Sequence, residues 1–167
     1  PAQGKSFVLN AKDSLRLTKL DGVDAFSKTI EEKVILEFND KRQIVTLKGV
    51  DGDYLNVTKI DTMVYYGSWL EQNAGQVVSG GGIANKLSFG VLDFSKSLKI
   101  YVPKPGKGQI TSVRGAFNSI NAYNIGVFDS NETLNNTYVF SDINMAKYLL
   151  GYNKNQISAI EFKLKPE

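Results

Sequence analysis

Two β-rich runs, Val23 to Phe38 and Gln43 to Val50, meet at Asn39-Asp40, and nothing else in the chain constrains its fold so strongly. Asn and Asp tolerate the left-handed backbone that a tight turn needs, so the pair predicts a long antiparallel hairpin. Shorter signals surround it. Lys5 to Ala11 reads as a brief strand, and Asp13 to Leu20 as a helix that Asp21-Gly22 closes. Towards the other end Ile143, Ala146, Leu149 and Leu150 form a helical stripe. Ser141 or Asp142 caps its start and Gly151 stands at its stop. The last segment alternates, with Ile160, Phe162 and Leu164 on one face and Glu161 and Lys163 on the other, which predicts a half-buried strand.

In order these outer pieces spell β-α-β-β, a long interruption, then α-β. That is the order of a ferredoxin-like split βαβ unit, and it places the chain in the α+β class. Removing the middle closes the unit, so the reading is one discontinuous lobe, 1–52 with 137–167, and a strand-rich lobe, 53–136, inserted in it. The middle has its own signals: strands at Val77-Val78, Leu98 to Val102 and Tyr123 to Phe128, and a short helix with Ile83 and Leu87 one turn apart. Asn131 to Asn136 reads as a polar surface loop, and Thr137 to Phe140 brings the chain back to the first lobe.

The 167 residues contain neither cysteine nor histidine. The two absences remove thiol nucleophiles, histidine bases, the usual zinc sites and every Ser-His triad, so catalysis is disfavoured, and no cofactor is expected. Net charge is +3, too weak to suggest nucleic acid. Its distribution is uneven. Between Asp93 and Asp129 there is no acid, while Lys96, Lys99, Lys104, Lys107 and Arg114 give that stretch +5 and leave the rest at −2. The stretch is either a solvated face or an attachment surface for an acidic partner or lipid headgroups.

Three motifs invite chemistry and fail to carry it. Gly80-Gly81-Gly82 lacks the spacing of a dinucleotide loop because Asn85 stands where the third glycine belongs, and no Gly-Lys-Ser/Thr follows. A tight strand-to-helix turn is expected instead. Glu31 and Glu32 are neighbours on a predicted strand, so they point to opposite faces and do not converge on one substrate. Tyr65, Tyr66 and Trp69 could form a ligand platform, although in a β-rich segment core packing is the simpler reading.

Six segments together resemble one family. GQVVSGGGIANKL (75–87) is similar to its turn and helix, SLKIYVPKPGKGQITSVRGAFNSINAYNIGVF (97–128) to its strand, long polar hairpin and returning strand, and TYVFSDINMAKYLLG (137–151) to its strand-Asp-helix element. QISAIEFKLKPE (156–167), GVDAFSKTIEEKVIL (22–36) and TLKGVDGDY (46–54) match further pieces in the same order. The turn after the short helix departs from the pattern, with Val91-Leu92 between Gly90 and Asp93. The family is the periplasmic domain of lipoprotein-releasing (LolC/LolE-type) ABC-transporter permeases, within the MacB/FtsX-like superfamily.

The resemblance implies a Porter-like outer lobe and a Sabre-like inserted lobe, cut from between membrane helices of a longer protein on the periplasmic side of the bacterial inner membrane. It implies no chemical step. Cytoplasmic ATPase subunits and a second permease copy are the partners of the parent protein, and lipoprotein cargo passes to a periplasmic carrier. The hairpin 103–117 is then the expected docking element. Lys104, Lys107 and Arg114 steer an acidic carrier face, and Ile110, Val113 and Phe117 supply the buried contacts. A MacB-type efflux or FtsX-like permease, binding a tunnel adaptor or a cell-wall hydrolase, is the alternative. A small carboxylate hydrolase is the third reading, and the residue inventory opposes it.

Overall fold

A computed structural model describes residues 5–92, 95–103 and 117–166. The first part of the chain forms β1 (Phe7–Val8), α1 (Ala11–Leu17), β2 (Val23–Phe38) and β3 (Lys41–Val50). Then follow α2 (Tyr54–Val57), a 3-10 turn (Ile60–Met63), β4 (Val64–Gly67), β5 (Gln76–Gly80) and α3 (Gly81–Leu87). Next come β6 (Leu98–Pro103), β7 (Phe117–Phe128), α4 (Glu132–Thr137) and β8 (Tyr138–Asp142). The described chain ends with α5 (Ile143–Leu150), β9 (Gln156–Ile157) and β10 (Ala159–Leu164).

The hairpin forms as its turn predicts. Asn39 and Asp40 take φ of 47° and 64°, and β2 and β3 pair without a slip from Phe38↔Lys41 to Thr29↔Val50. Around this ribbon the strands run β10-β2-β3-β8-β5-β7-β4. β6 pairs with both β7 and β2, so the hydrogen-bonded order β2-β3-β8-β5-β7-β6 returns to β2. The fold is α+β and strand-rich. Its main sheet is shared by the two parts of the chain: β2, β3, β8 and β10 come from the outer segments, and β4 to β7 from 53–136. β1 stands apart from it and, among the described residues, pairs with β9 alone.

Side-chain alternation distributes the apolar residues over two cores. Val77, Val127 and Val139 enter the larger one with Ile30, Leu36, Leu47 and Ile100, beneath α3 and α5. Their immediate neighbours Val78, Phe128 and Phe140 enter the smaller one with Val50, Tyr54, Ile60 and Leu70. β5 and β8 are therefore covered on both faces, as the adjacent apolar pairs Val77-Val78 and Val139-Phe140 require. Phe140 is the hub of the smaller core, with ring centroids of Trp69, Phe128 and Tyr54 at 5.3, 5.5 and 5.9 Å.

Local chemistry sets the helix ends. The Asp142 carboxylate accepts from the Met145 amide at 2.9 Å, and Gly151 closes α5 in the left-handed region. The triple glycine is the turn expected, and its requirement is steric. A Cβ on Gly80 would lie 2.3 Å from the Asn135 carbonyl oxygen, and one on Gly82 would lie 2.1 Å from Asn136 Oδ1. These glycines let α3 and α4 pack together. Residues 131–136 are accordingly not a loop: Asn131 accepts from the Leu134 amide at 3.0 Å and starts α4, with Glu132 in its first turn.

Two further expectations change. Trp69 packs against Phe140, but Tyr65 and Tyr66 are 67% and 55% exposed, on β4 at the end of the sheet. β10 is the strand at the other end, with β2 as its sole partner among the described residues. Ile160 of its apolar face reaches the core, whereas Phe162 and Leu164 remain 41% and 69% exposed.

β10 is held by charge as well as by its ladder. Lys48 Nζ lies 3.2 Å from Glu31 and also pairs with Glu161, joining β3, β2 and β10. Its ammonium sits 5.3 Å from the Tyr54 ring centroid and 6.0 Å from that of Tyr138. Burial opposes the lysine's charge, but the hydrogen bond to Glu161 and the surrounding negative groups outweigh it, and the ammonium is held above the usual lysine range. Its stabilisation is therefore complete below pH of about 10 and fades only as the pH climbs through the folded-state value. Glu32, on the opposite face, pairs instead with Lys5 at 3.0 Å.

Two outcomes follow for chemical denaturation. Gly80→Ala should destabilise by about 2–3 kcal/mol, since backbone must move, while Gly52→Ala, with open space around it, should change stability by less than about 0.5 kcal/mol. Lys48→Met should cost about 2–3 kcal/mol because two carboxylates lose their counter-charge, and Glu161→Gln about 1 kcal/mol.

Candidate docking site

Beyond Lys48 towards the turn, the same face of the hairpin changes character. Ile44, Ile35 and Tyr101 stand side by side across β3, β2 and β6, and Arg42, Glu37 and Lys99 form the next row. β7 continues the surface, with Ser119 opposite Tyr101. A cleft of about 700 Å³ opens here, lined among the described residues by Ile35, Glu37, Arg42, Lys99, Tyr101, Phe117 and Ser119.

Its interior is pre-arranged. The Tyr101 and Phe117 rings meet edge to face at 5.6 Å, and Lys99 Nζ lies 5.7 Å from the Tyr101 centroid. Glu37 accepts hydrogen bonds from Arg42 Nε and, at 3.3 Å, from the Tyr101 hydroxyl. The Arg42 bond is the main reason that the Glu37 carboxyl is held below the usual range. Burial pushes the Tyr101 hydroxyl up, against the opposing pull of Arg42. Glu37 is thus an ionised acceptor already clamped by two donors, not a poised acid. Aromatic walls and a cationic rim suit a partner that brings an apolar side chain next to a carboxylate.

Of the residues singled out for docking, Phe117 falls inside this cleft, half-buried against Tyr101. Lys104, Lys107, Ile110, Val113 and Arg114 lie outside the described residues. Sequence reasoning missed the cleft itself, although part of the signal was present. A two-residue turn at 39–40 sets Glu37 opposite Arg42 and Glu31 opposite Lys48, and both opposite-charge pairs follow from the hairpin register. Lys99, Tyr101 and Phe117 arrive only with β6 and β7.

Among the described residues no group of three or more acidic, cysteine or histidine side chains is placed to hold a metal ion. No helix among them is long and apolar enough to cross a membrane.

No family model matches the sequence, and no curated protein is significantly similar to it. Solved structures are similar. The crystal structure of the extracellular domain of the noncanonic ABC-type transporter YknZ from Gram-positive bacteria matches over 98% of this chain and 76% of its own, with a TM-score of 0.67 and 20% identity. The periplasmic region of MacB from Actinobacillus actinomycetemcomitans matches over 95% of this chain and 66% of its own, with a TM-score of 0.62 and 16% identity. The chain therefore spans about two thirds to three quarters of the length of these structures. Its α+β architecture is the fold of these two extracytoplasmic domains.

Proposed function

We propose that this chain is the extracytoplasmic domain of an ABC-transporter permease, working as a lever and docking surface on the outer side of the cytoplasmic membrane. The observation that carries the reading is the likeness, over almost the whole chain, to the extracellular domain of YknZ and the periplasmic region of MacB. In this reading ATPase subunits act on the cytoplasmic side, and their closure moves the domain through the membrane helices of the parent protein. The domain itself performs no chemical step. The outer segments 1–52 and 137–167 are the part moved by the membrane helices, and 53–136, with the turn end of the β2-β3 hairpin, the part that meets the partner.

The finer reading is lipoprotein release from the inner membrane and hand-over to a periplasmic carrier. Sequence support for it lies in the six ordered segments, the basic stretch 103–117 above all. A second finer reading, an efflux or FtsX-like permease that binds a tunnel adaptor or a cell-wall hydrolase, has its own support in the structural likeness to MacB. The lipoprotein-release reading places the carrier at the 103–117 segment. The cleft beneath Phe117 supplies the apolar walls, and the +5 charge between Asp93 and Asp129 supplies long-range attraction.

Binding of purified carrier and of purified tunnel adaptor to the 167-residue chain separates the two. The true partner should bind, and replacing 104–116 by a short Gly-Ser turn should weaken it at least about 10-fold. Tyr101→Ala should raise the dissociation rate, whereas Lys99→Glu should mainly slow association at low salt. Equal binding by the trimmed and intact chains would remove the docking role. A parent protein without membrane helices, or without an ATPase subunit, would remove the permease reading altogether.

A further inference from the structure

The sheet face beneath α5 ends in a surface with no role in that scheme. On it the Phe26 and Phe162 rings form a cross-strand pair with centroids 6.3 Å apart. Phe162 and Leu164 are 41% and 69% exposed. Lys28 follows Phe26 on the same side of β2, about 7 Å along the strand, and faces Ile160. α5 then delivers Lys147, whose Nζ donates to the Lys154 carbonyl at 2.5 Å. Burial, Lys28 and Lys154 together hold the Lys147 ammonium below the usual lysine range, with Asp51 acting the other way.

The local acids are already engaged. Asp51 accepts from the Ser27 hydroxyl at 2.7 Å and from the Lys28 and Asp53 amides at 2.9 and 3.1 Å, and Asp24 pairs with Lys163 at 3.3 Å. An exposed apolar strip thus borders three gathered ammonium groups that face the single carboxylate of Asp51. We propose that the face built from Phe26, Lys28, Lys147, Lys154, Phe162 and Leu164 rests on the surface of an anionic lipid bilayer.

The combination favours lipid over a folded acidic partner. The cations are lysines, point charges on flexible stems that accept headgroups without a fixed geometry, where a carboxylate-specific site would use the arginine fork. Phe162 and Leu164 sit on an edge strand, so they can enter the headgroup boundary without opening the sheet. Attraction of lysines to an anionic surface and shallow apolar insertion are the two ingredients of peripheral binding. This inference does not depend on partner docking at the cleft.

Co-sedimentation of the 167-residue chain with vesicles tests it. Vesicles of phosphatidylcholine with about 30% phosphatidylglycerol should bind the chain, and pure phosphatidylcholine should bind it at least about 10-fold more weakly. Lys28→Gln and Lys154→Gln should each reduce partitioning about 5-fold, and salt should abolish the difference between the two vesicles. Leu164→Ser should weaken binding with an unchanged melting temperature, and it carries the apolar half of the test should Phe162→Ser fail to fold. The chain trimmed at 104–116 separates this face from the other basic region and should bind vesicles as the intact chain does. Failure to bind anionic vesicles, equal binding to neutral ones, or a loss caused by trimming 104–116 and not by the lysine or Leu164 changes would each overturn the proposal.

Discussion

The structure depends on one seam, the double pairing of Tyr138–Asp142. This strand runs parallel to β3 on one edge and antiparallel to β5 on the other, so it joins the hairpin to the middle of the chain. Its side chains do the same across the sheet. Val139 is buried in the larger core, Phe140 is the hub of the smaller one, and Ser141 and Asp142 are buried where α5 begins. A central strand buried on both faces tolerates no slip of register, because a shift by one residue would exchange the residues of the two cores.

Once that seam is set, the charged groups of the hairpin fall into a graded series along a single face. Near the seam Lys48 is nearly buried and pairs with both Glu31 and Glu161, a cross-link that secures an edge strand. Towards the turn the Arg42–Glu37 pair is open to a cleft and engaged by Tyr101. The same type of pairing therefore serves cohesion where water is excluded and recognition where it is not, because desolvation decides how strongly opposite charges interact. On the other side of the sheet Lys28, Lys147 and Lys154 gather with Asp51 as the opposing carboxylate and confer a basic, partly apolar character instead.

The proposed mechanical role would draw on this division. The paired charges hold strands together, the aromatic hub around Phe140 resists shear, and the surfaces that remain chemically unsatisfied lie at opposite ends of the β2-β3 ribbon. A lever as proposed would need rigidity between its contact regions, and a sheet order that returns upon itself through β6 would supply it.

Much of the fold was legible locally. Asn39-Asp40 announced the hairpin and hence the Glu37–Arg42 and Glu31–Lys48 pairs, the stripe through Leu149 and Leu150 announced α5, and the glycines at 80–82 announced a turn into a helix. These features rest on backbone preference and side-chain period, which act between near neighbours. The illegible parts join distant residues. α2 and the 3-10 turn form where Tyr54 and Ile60 are drawn towards Phe140, some eighty residues away in sequence. α4 reads as a polar loop until α3 packs on it. The cleft needs β6 and β7 brought against Ile35 and Glu37, and the exposure of Phe162 and Leu164 follows from an edge position that no alternation pattern encodes. The sequence thus specified which residues turn, alternate and cap. Long-range strand pairing alone decided which faces are buried and which are left to meet a partner, since burial depends on what the rest of the chain brings opposite.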